Sequence, residues 1–322
     1  MKKHKNIVVI YWSDDWEKEL PMNGAPETRK SFEDWHVRGL KENIQVFRAS
    51  IEWYNEKTNC FKKAWAYRDG VWEKINQPIK PDLIFDKIKG VRNYNLYDLK
   101  MKIASQVKFF NNPLFRIIVD NKFSQYLLFG EFMPKSYLAN DRIELKSSVE
   151  RLQTDKVVVK PLFGSGGFDI KIAEKAKVLT GRFNFPVLVQ EFIRSEKGIP
   201  GLSKGKEVAD LRLVFINHKL IYALSRIAKP GSLFTNFHQG AGAKLVEEKS
   251  VPASVKAMVK KIVAKLSLFS EAHYCLDFIF DNSGRPYLLE MNSTPGFDLL
   301  YLLNDEKAIK KNFSEFVKVL GV

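Results

Sequence analysis

The stretch CLDFIFDNSGRPYLLEMNSTPG, residues 275–296, reads as two apolar strands on either side of a polar turn, the pattern of an antiparallel hairpin. A hairpin built only for structure has no use for the Asp277, Glu290 and Asn292 embedded in it. Side chains two apart on a strand share a face, so Glu290 and Asn292 project together, and Asp277 on the partner strand can lie across from them. Two carboxylates and an amide oxygen converging in a mostly apolar sheet are costly unless a cation neutralises them. Three hard oxygen donors with room for water and phosphate oxygens suit Mg²⁺ better than zinc. Taken singly, each residue is explained as well by a solvated position or a turn; the conjunction points to a metal.

Upstream, VVVKPLFGSGGFDIKI (157–172) carries an apolar strand ending at Lys160, a loop with Gly164, Ser165, Gly166 and Gly167, and a second alternating strand. Backbone N–H groups brought close together by glycine can cradle phosphates. The loop is not a Walker motif, because the only Gly-Lys pair, Gly205-Lys206, is followed by Glu207. Nor is it a dinucleotide fingerprint, since the glycine spacing is wrong and no helix opens after it. Alone, GSGG is more often a hairpin tip; a strand-borne ammonium at Lys160 adds the point charge a polyphosphate requires. Lys122, near the start of the helical DNKFSQYLLFGEF, would by itself be a surface lysine.

The whole chain has 322 residues, 45% hydrophobic, enough for a sizeable core divided over two or three units. NIVVIYW, IQVFRASIEW, KPDLIFDK and VKFFNN read as strands, separated by the helical RKSFEDWHVRGLKEN and YNLYDLKMKIAS, so residues 1–118 are expected to form a small α/β domain. The rest reads as two α+β units, 119–195 with the glycine loop and 196–322 with the hairpin and a closing helix that places Ile309, Phe313, Phe316, Val317 and Leu320 on one face. No apolar run is long enough for a membrane span and the N-terminus lacks a signal core, so a cytoplasmic protein without membrane contact is expected. Cys60 and Cys275 lie far apart and are expected to be buried thiols. The net charge of +15 is spread along the chain. Its densest stretch, SVKAMVKKIVAKLSLF, has apolar residues at helical spacing and reads as a core-facing helix with a solvated basic face; nucleic-acid binding has no motif behind it. GLSKG (201–205) fits the spacing of a nucleophile elbow, but its polar flanks exclude that role for Ser203.

The order of these motifs resembles that of the ATP-grasp superfamily of carboxylate-amine ligases: NKFSQYLL with Lys122, VVVKPLFGSGG with Lys160, VQEFI, DLR, SRIA, NFHQG, then LDFIF with LLEMNSTPG. The likeness covers residues 110–300, and within the superfamily it is greatest to glutathione synthetases and ribosomal-protein glutamate ligases. The resemblance implies an N-terminal α/β domain followed by two α+β subdomains that clamp ATP. It implies that Lys122 and Lys160 contact the α- and β-phosphates, that Gly164 to Gly167 form a lid, and that Gln190, Glu191, Phe192 and Ile193 hold adenine. Asp210 would hold the ribose, with Glu196 as competitor because the insertion after VQEFI is long. Arg212, Arg226 and Asn236 would handle the γ-phosphate and an acyl-phosphate, while Asp277, Glu290 and Asn292 bind two Mg²⁺ ions, or Mn²⁺ in their place. His238 falls near the site as a positioning group.

The activity so implied joins a carboxylate to an amine on amino acids or a peptide, giving an amide, ADP and phosphate. The alternative is an ATP-binding scaffold without turnover. WSDDW, with Asp14 and Asp15 after the first strand, is a candidate wall for the acceptor pocket or else a solvated turn. The basic charge favours an acidic small molecule or peptide as partner, and a homo-oligomer is left open.

Overall fold

The computed structural model describes residues 4–236, 240–319 and 321. Its first sheet begins with β1 (Lys5–Tyr11), whose Ile7 to Ile10 are fully buried. Helix α1 (Pro26–Lys41) follows, with Pro26 in its first turn and Arg38 and Lys41 in its last, the charges a helix dipole favours there. It presses Phe32 and Trp35 onto the sheet. β2 (Ile44–Ser50) lies parallel to β1, and the short β3 (Tyr54–Asn55) and β4 (Cys60–Phe61) pair beside the sheet. β5 (Ala64–Arg68) and β6 (Val71–Ile75) form a hairpin not expected from the sequence reading, turning at Asp69 and Gly70, both with positive φ. The Asp-Gly pair between alternating residues was its signal. β7 (Leu83–Asp86), α2 (Tyr94–Ala104) and β8 (Lys108–Phe110) complete the order β6-β5-β2-β1-β7-β8. Cys60 is only half-buried, against expectation, because its strand has two residues and lies outside the main sheet; Cys275 is buried as expected.

Two short helices, α3 (Pro113–Val119) and α4 (Lys122–Phe129), lead into the second sheet, each capped by an asparagine side chain, Asn112 and Asn121. β9 (Ser136–Ala139), α5 (Arg142–Arg151), β10 (Lys156–Pro161), β11 (Lys171–Glu174), α6 (Lys175–Thr180) and β12 (Val187–Glu191) give an antiparallel sheet in the order β11-β10-β12-β9. Along β10 the side chains alternate: Val157 and Val159 pack under α5 and α6, while Val158 and Lys160 face a cleft.

The third sheet comprises β13 (Ala209–Ile216), β14 (Lys219–Ile227), β15 (Gly242–Val246), β16 (His273–Phe280) and β17 (Pro286–Asn292), in the order β15-β14-β13-β16-β17. Helix α7 (Ala253–Leu266) precedes β16 and buries Val255, Ile262 and Leu266 against one face, leaving its lysines exposed as the basic stretch suggested. The other face changes character along its strands. Val214, Ile216 and Cys275 join a core shared with α8 (Asp298–Leu302), α9 (Glu306–Val319) and the Trp35 and Phe85 of the first sheet. Asp210, Arg212 and Asp277, further along the same face, emerge into open clefts. Ile309, Phe313, Phe316 and Val317 make the apolar face of α9; Leu320 lies outside the described residues. An α/β unit followed by two α+β units is therefore the observed architecture.

Candidate active site

Two clefts meet at the charged end of the third sheet. The first, about 750 Å³, lies between the second and third sheets. Val158, Ile170, Ile172, Ile279 and Leu289 line its sides, and Gln190 to Ile193 form its edge. Flat apolar walls beside the polar atoms of a strand edge suit a purine. Gln190 is fixed by a hydrogen bond of 2.9 Å from its Nε2 to Ser136 Oγ.

Lys160 enters this cleft from β10 and donates to the Leu289 carbonyl at 3.2 Å. A register shift between Asp277 and Phe278 leaves Leu289 unpaired opposite β16, a bulge that turns this carbonyl toward the lysine. Burial pushes the Lys160 ammonium down to about 8; Glu290 opposes that shift and Lys122 reinforces it. Lys122, the first residue of α4, donates to the Gly164 carbonyl at 2.6 Å and stands 3.9 Å from Glu290. The two lysines and the glycine loop thus converge from separate elements. Gly164, Gly166 and Gly167 all have positive φ, and a Cβ on Gly167 would stand 2.7 Å from Asn236 Oδ1. Glycine is needed there for both conformation and close approach.

At the floor lies a buried quartet. Arg212 donates from Nε and Nη2 to the two oxygens of Asp277, each at 2.7 Å. Arg226 donates to Asp210 through Nε at 2.8 Å and through Nη2, and to Asp277 at 2.9 Å. Register explains the arrangement: Asp210 is opposite Arg226, Arg212 is opposite Asp277, and Asp277 is opposite Glu290. Burial raises the Asp277 carboxyl, but the two guanidinium groups outweigh it and bring the group down to about 2. Asp210 lines the cleft, yet its oxygens are engaged by Arg226 and by the Thr235 hydroxyl. Glu196 is exposed and tied to Asn282. The arrangement makes Asp210 a holder of Arg226, and leaves neither acid free in the cleft for a ribose.

For a divalent cation the donor set is oxygen only. Glu290 accepts no hydrogen bond among the described residues, although its side chain is 15% exposed. Asn292 Oδ1 accepts from the Thr294 amide at 2.9 Å and from the Thr294 hydroxyl at 3.4 Å, a long contact that a hydroxyl can give up by rotating. A half-buried carboxylate without donors fits a cation, and Asp277 and Asn292 flank it. Among the described residues no group of three or more His, Cys, Asp or Glu side chains is placed to hold a metal, since the third member here is an amide.

The second cleft, about 1360 Å³, lies between the third sheet and the carboxyl ends of β1, β2 and β7. It shares Arg226 and Asn236 with the first cleft, so the two open onto one junction. Arg48, Lys87 and Lys89 also line it. Burial brings the Lys87 ammonium down to about 7, with Asp298 opposing.

Asp14 and Asp15 do not form the wall expected of them. Asp15 is buried and paired with Arg48 at 2.5 Å, and Asp14 accepts from the Trp16 amide and Trp53 Nε1; Tyr11 and Ser13 line the cleft instead. Ser203 Oγ accepts from the Ile199 amide at 2.8 Å and serves its loop. His238 lies outside the described residues. Sequence reasoning missed Lys87 and Asp298; a lysine after the buried LIFD strand and an acid directly after STPGF were the signals.

Residues 121–311 match the family model described as the RimK-like ATP-grasp domain. A probable alpha-L-glutamate ligase of Shewanella halifaxensis (strain HAW-EB4) is 30% identical over 172 residues, 52% of this chain and 34% of its own length. Probable alpha-L-glutamate ligase 2 of Shewanella frigidimarina (strain NCIMB 400) is 29% identical over 198 residues, 58% of each chain. The chain thus spans between about a third and three fifths of the length of these curated relatives. Among solved structures, D-alanyl-alanine synthetase A from Vibrio cholerae superposes with a TM-score of 0.66 at 14% identity, covering 100% of this chain and 98% of that one. An ATP-grasp ligase from Chryseobacterium gregarium, in complex with ADP and a leader and core peptide, gives 0.60 at 15% identity, covering 97% and 96%. These similarities establish the shared fold.

Proposed function

The chain belongs to the RimK-like ATP-grasp family, and from that premise we propose that it is an ATP-dependent ligase that joins a carboxylate to an amine through an acyl-phosphate. The single observation that carries this reading is the junction: a purine-sized slot and a basic chamber meet at Arg226 and Asn236. Adenine lies against Gln190 to Ile193, Lys122 and Lys160 take the α- and β-phosphates, and Gly164 to Gly167 close over them. Glu290 and Asn292 would hold Mg²⁺, one ion or two, with Mn²⁺ as a substitute, and Asp277 would add an oxygen shared with Arg212 and Arg226, which already engage both of its oxygens. When bound, the metal supplies positive charge against the phosphate oxygens.

The protein's own groups do the remaining work. A carboxylate attacking a γ-phosphate brings two anions together, and Arg212 and Arg226, fixed in direction by Asp210 and Asp277, are oriented before the reaction starts. Attack of the amine on the acyl-phosphate passes through an oxyanion, which the same guanidinium groups and the Asn236 amide stabilise. A closed glycine lid keeps water from the acyl-phosphate. The excess of cations in the chamber supports an acidic amino acid or acidic peptide as one substrate. No helix among the described residues is long and apolar enough to cross a membrane; dependence on ATP supports a cytoplasmic location. The scaffold alternative has no observation in its favour.

The test is Mg²⁺-dependent release of ADP and phosphate across amino acids and short acidic peptides, with product masses. Some pair is expected to give a product one water lighter than its summed parts, lost in Glu290→Ala. ATP binding without turnover over a broad panel would overturn the reading.

A further inference from the structure

Among the described residues, the basic chamber is lined by one acid. Of the charged residues lining it, Arg48, Lys87, Lys89, Arg212 and Arg226 are cations, and Asp298 is the sole carboxylate. Of the other acids nearby, Asp15 is paired with Arg48, Asp210 with Arg226 and Asp277 with Arg212 and Arg226, while Glu290 faces the adjoining nucleotide cleft. Asp298 lines the chamber with no hydrogen bond and no ion pair within 4 Å among the described residues, its charge acting on Lys87 from a greater distance. The backbone also makes room for it. A Cβ at Gly296 would stand 2.1 Å from Asp298 Oδ1, so this placement of the carboxylate requires glycine in the preceding turn. That turn follows directly from the strand that carries Glu290 and Asn292, and Lys87 Nζ ties it down by donating to the Pro295 carbonyl at 2.6 Å.

An amine substrate arrives at neutral pH as an ammonium ion, which cannot attack. It must be held among cations that repel it and must lose a proton before its lone pair is available. An acid facing the same chamber as the junction can do both, whereas Lys87, even when neutral, can accept a proton but cannot hold an ammonium by charge. Resting on the ligase reading above, we propose that Asp298 binds the incoming ammonium group and accepts its proton, making it a catalytic residue for the second half-reaction. The ammonium gives one proton to the carboxylate, and the freed nitrogen lone pair forms the C–N bond at the acyl carbon. The C–O bond to phosphate breaks, and its electron pair leaves with the phosphate, which also takes the second proton lost from nitrogen. The acyl-phosphate, ammonium and carboxylate thus become an amide, monohydrogen phosphate and a carboxylic acid, with charge conserved.

The test uses hydroxylamine, an amine already neutral at neutral pH, beside the amine identified in the amino-acid panel. Both are given to the full-length enzyme with ATP, Mg²⁺ and the carboxylate substrate. In Asp298→Asn, amide synthesis is expected to fall by about 100-fold or more, while hydroxamate formation falls by less than about threefold and Asp298→Glu retains both reactions. Equal loss of the two products in Asp298→Asn would assign Asp298 a structural role, and retention of amide synthesis would remove it from the reaction; either result overturns the proposal. If the unaltered enzyme forms neither amide nor hydroxamate with any carboxylate, the ligase reading itself fails, an outcome distinct from both.

Discussion

Asp86, Lys100, Arg116 and Asp120 form one buried quartet of charges, and Asp210, Arg212, Arg226 and Asp277 form another. Each has two cations and two anions on neighbouring elements, and each is held by charge-assisted hydrogen bonds. The first is closed to both clefts, with only Asp120 at the edge of a small pocket beside Glu290 and Asn292. Its ion pairs of 2.7, 3.1 and 2.8 Å join side chains no more than 3% exposed. The Ile88 backbone and the Tyr97 and Ser293 hydroxyls serve its two carboxylates and Arg116, while Lys100 Nζ rests on its ion pair with Asp86 and the face of Tyr97. It fastens β7, α2 and α3 to the turn after β17. The second quartet forms the floor of two clefts. Buried paired charge by itself therefore does not identify a catalytic centre; what separates the two is whether the charges face space that a ligand can enter.

Substitution should separate them by readout. Arg226→Met should cost on the order of 10³–10⁵-fold in kcat, the range for removing an arginine that stabilises phosphoryl transfer. Its effect on stability should be smaller, because Arg212 still pairs with Asp277, Thr235 still donates to Asp210, and cleft water reaches both. Steady-state kinetics beside chemical denaturation checks this, and a stability loss without a kcat loss would erase the distinction. Arg116→Met should act in reverse. It leaves Asp86 to Lys100 and Asp120 to the Tyr97 and Ser293 hydroxyls in a largely dry core, at a cost of about 3–5 kcal/mol of stability. Urea midpoints measured on both variants compare the two quartets directly.

The smallest effect comes from pH. Lys160 is brought down to about 8 by burial, so the free enzyme carries this cation below that value and loses it above. Binding ATP at higher pH then requires proton uptake, and the Kd for ATP should rise by up to about tenfold per pH unit above 8. The sign for stability is opposite. Between pH 8 and the ordinary lysine value the unfolded chain holds the proton that the folded one has lost, so this group's contribution makes the unliganded protein more stable as pH rises. Calorimetric ATP titrations from neutral to alkaline pH test the first statement; a flat Kd would show that Lys160 does not contact phosphate.

Much of this site was legible in the sequence, for local reasons. Alternation along CLDFIF and PYLLEMN placed Glu290 and Asn292 on one face, and strand pairing then put Asp277 beside Glu290. The lid was visible because glycine is the residue that takes positive φ freely, as Gly164, Gly166 and Gly167 do. What was not legible depends on partners distant in the chain. Asp15 looked like a solvated turn because nothing near it announces Arg48, 33 residues away. Asp210 was read as a ribose ligand because its pairing with Arg226 follows from the register of β13 and β14. The bulge at Leu289 leaves no mark in an apolar run, yet it aims a carbonyl at Lys160. The closed quartet, drawn from Asp86, Lys100, Arg116 and Asp120, follows no spacing that a linear reading tests.

The claim that the open quartet serves phosphoryl transfer to a carboxylate is tested most directly with ¹⁸O. With the carboxylate substrate labelled in both oxygens, the amide retains one label and the other should appear in the inorganic phosphate, one ¹⁸O atom per phosphate released, read by mass spectrometry. Phosphate formed during amide synthesis without ¹⁸O would show that the carboxylate never took the γ-phosphoryl group, and would contradict the account at its centre.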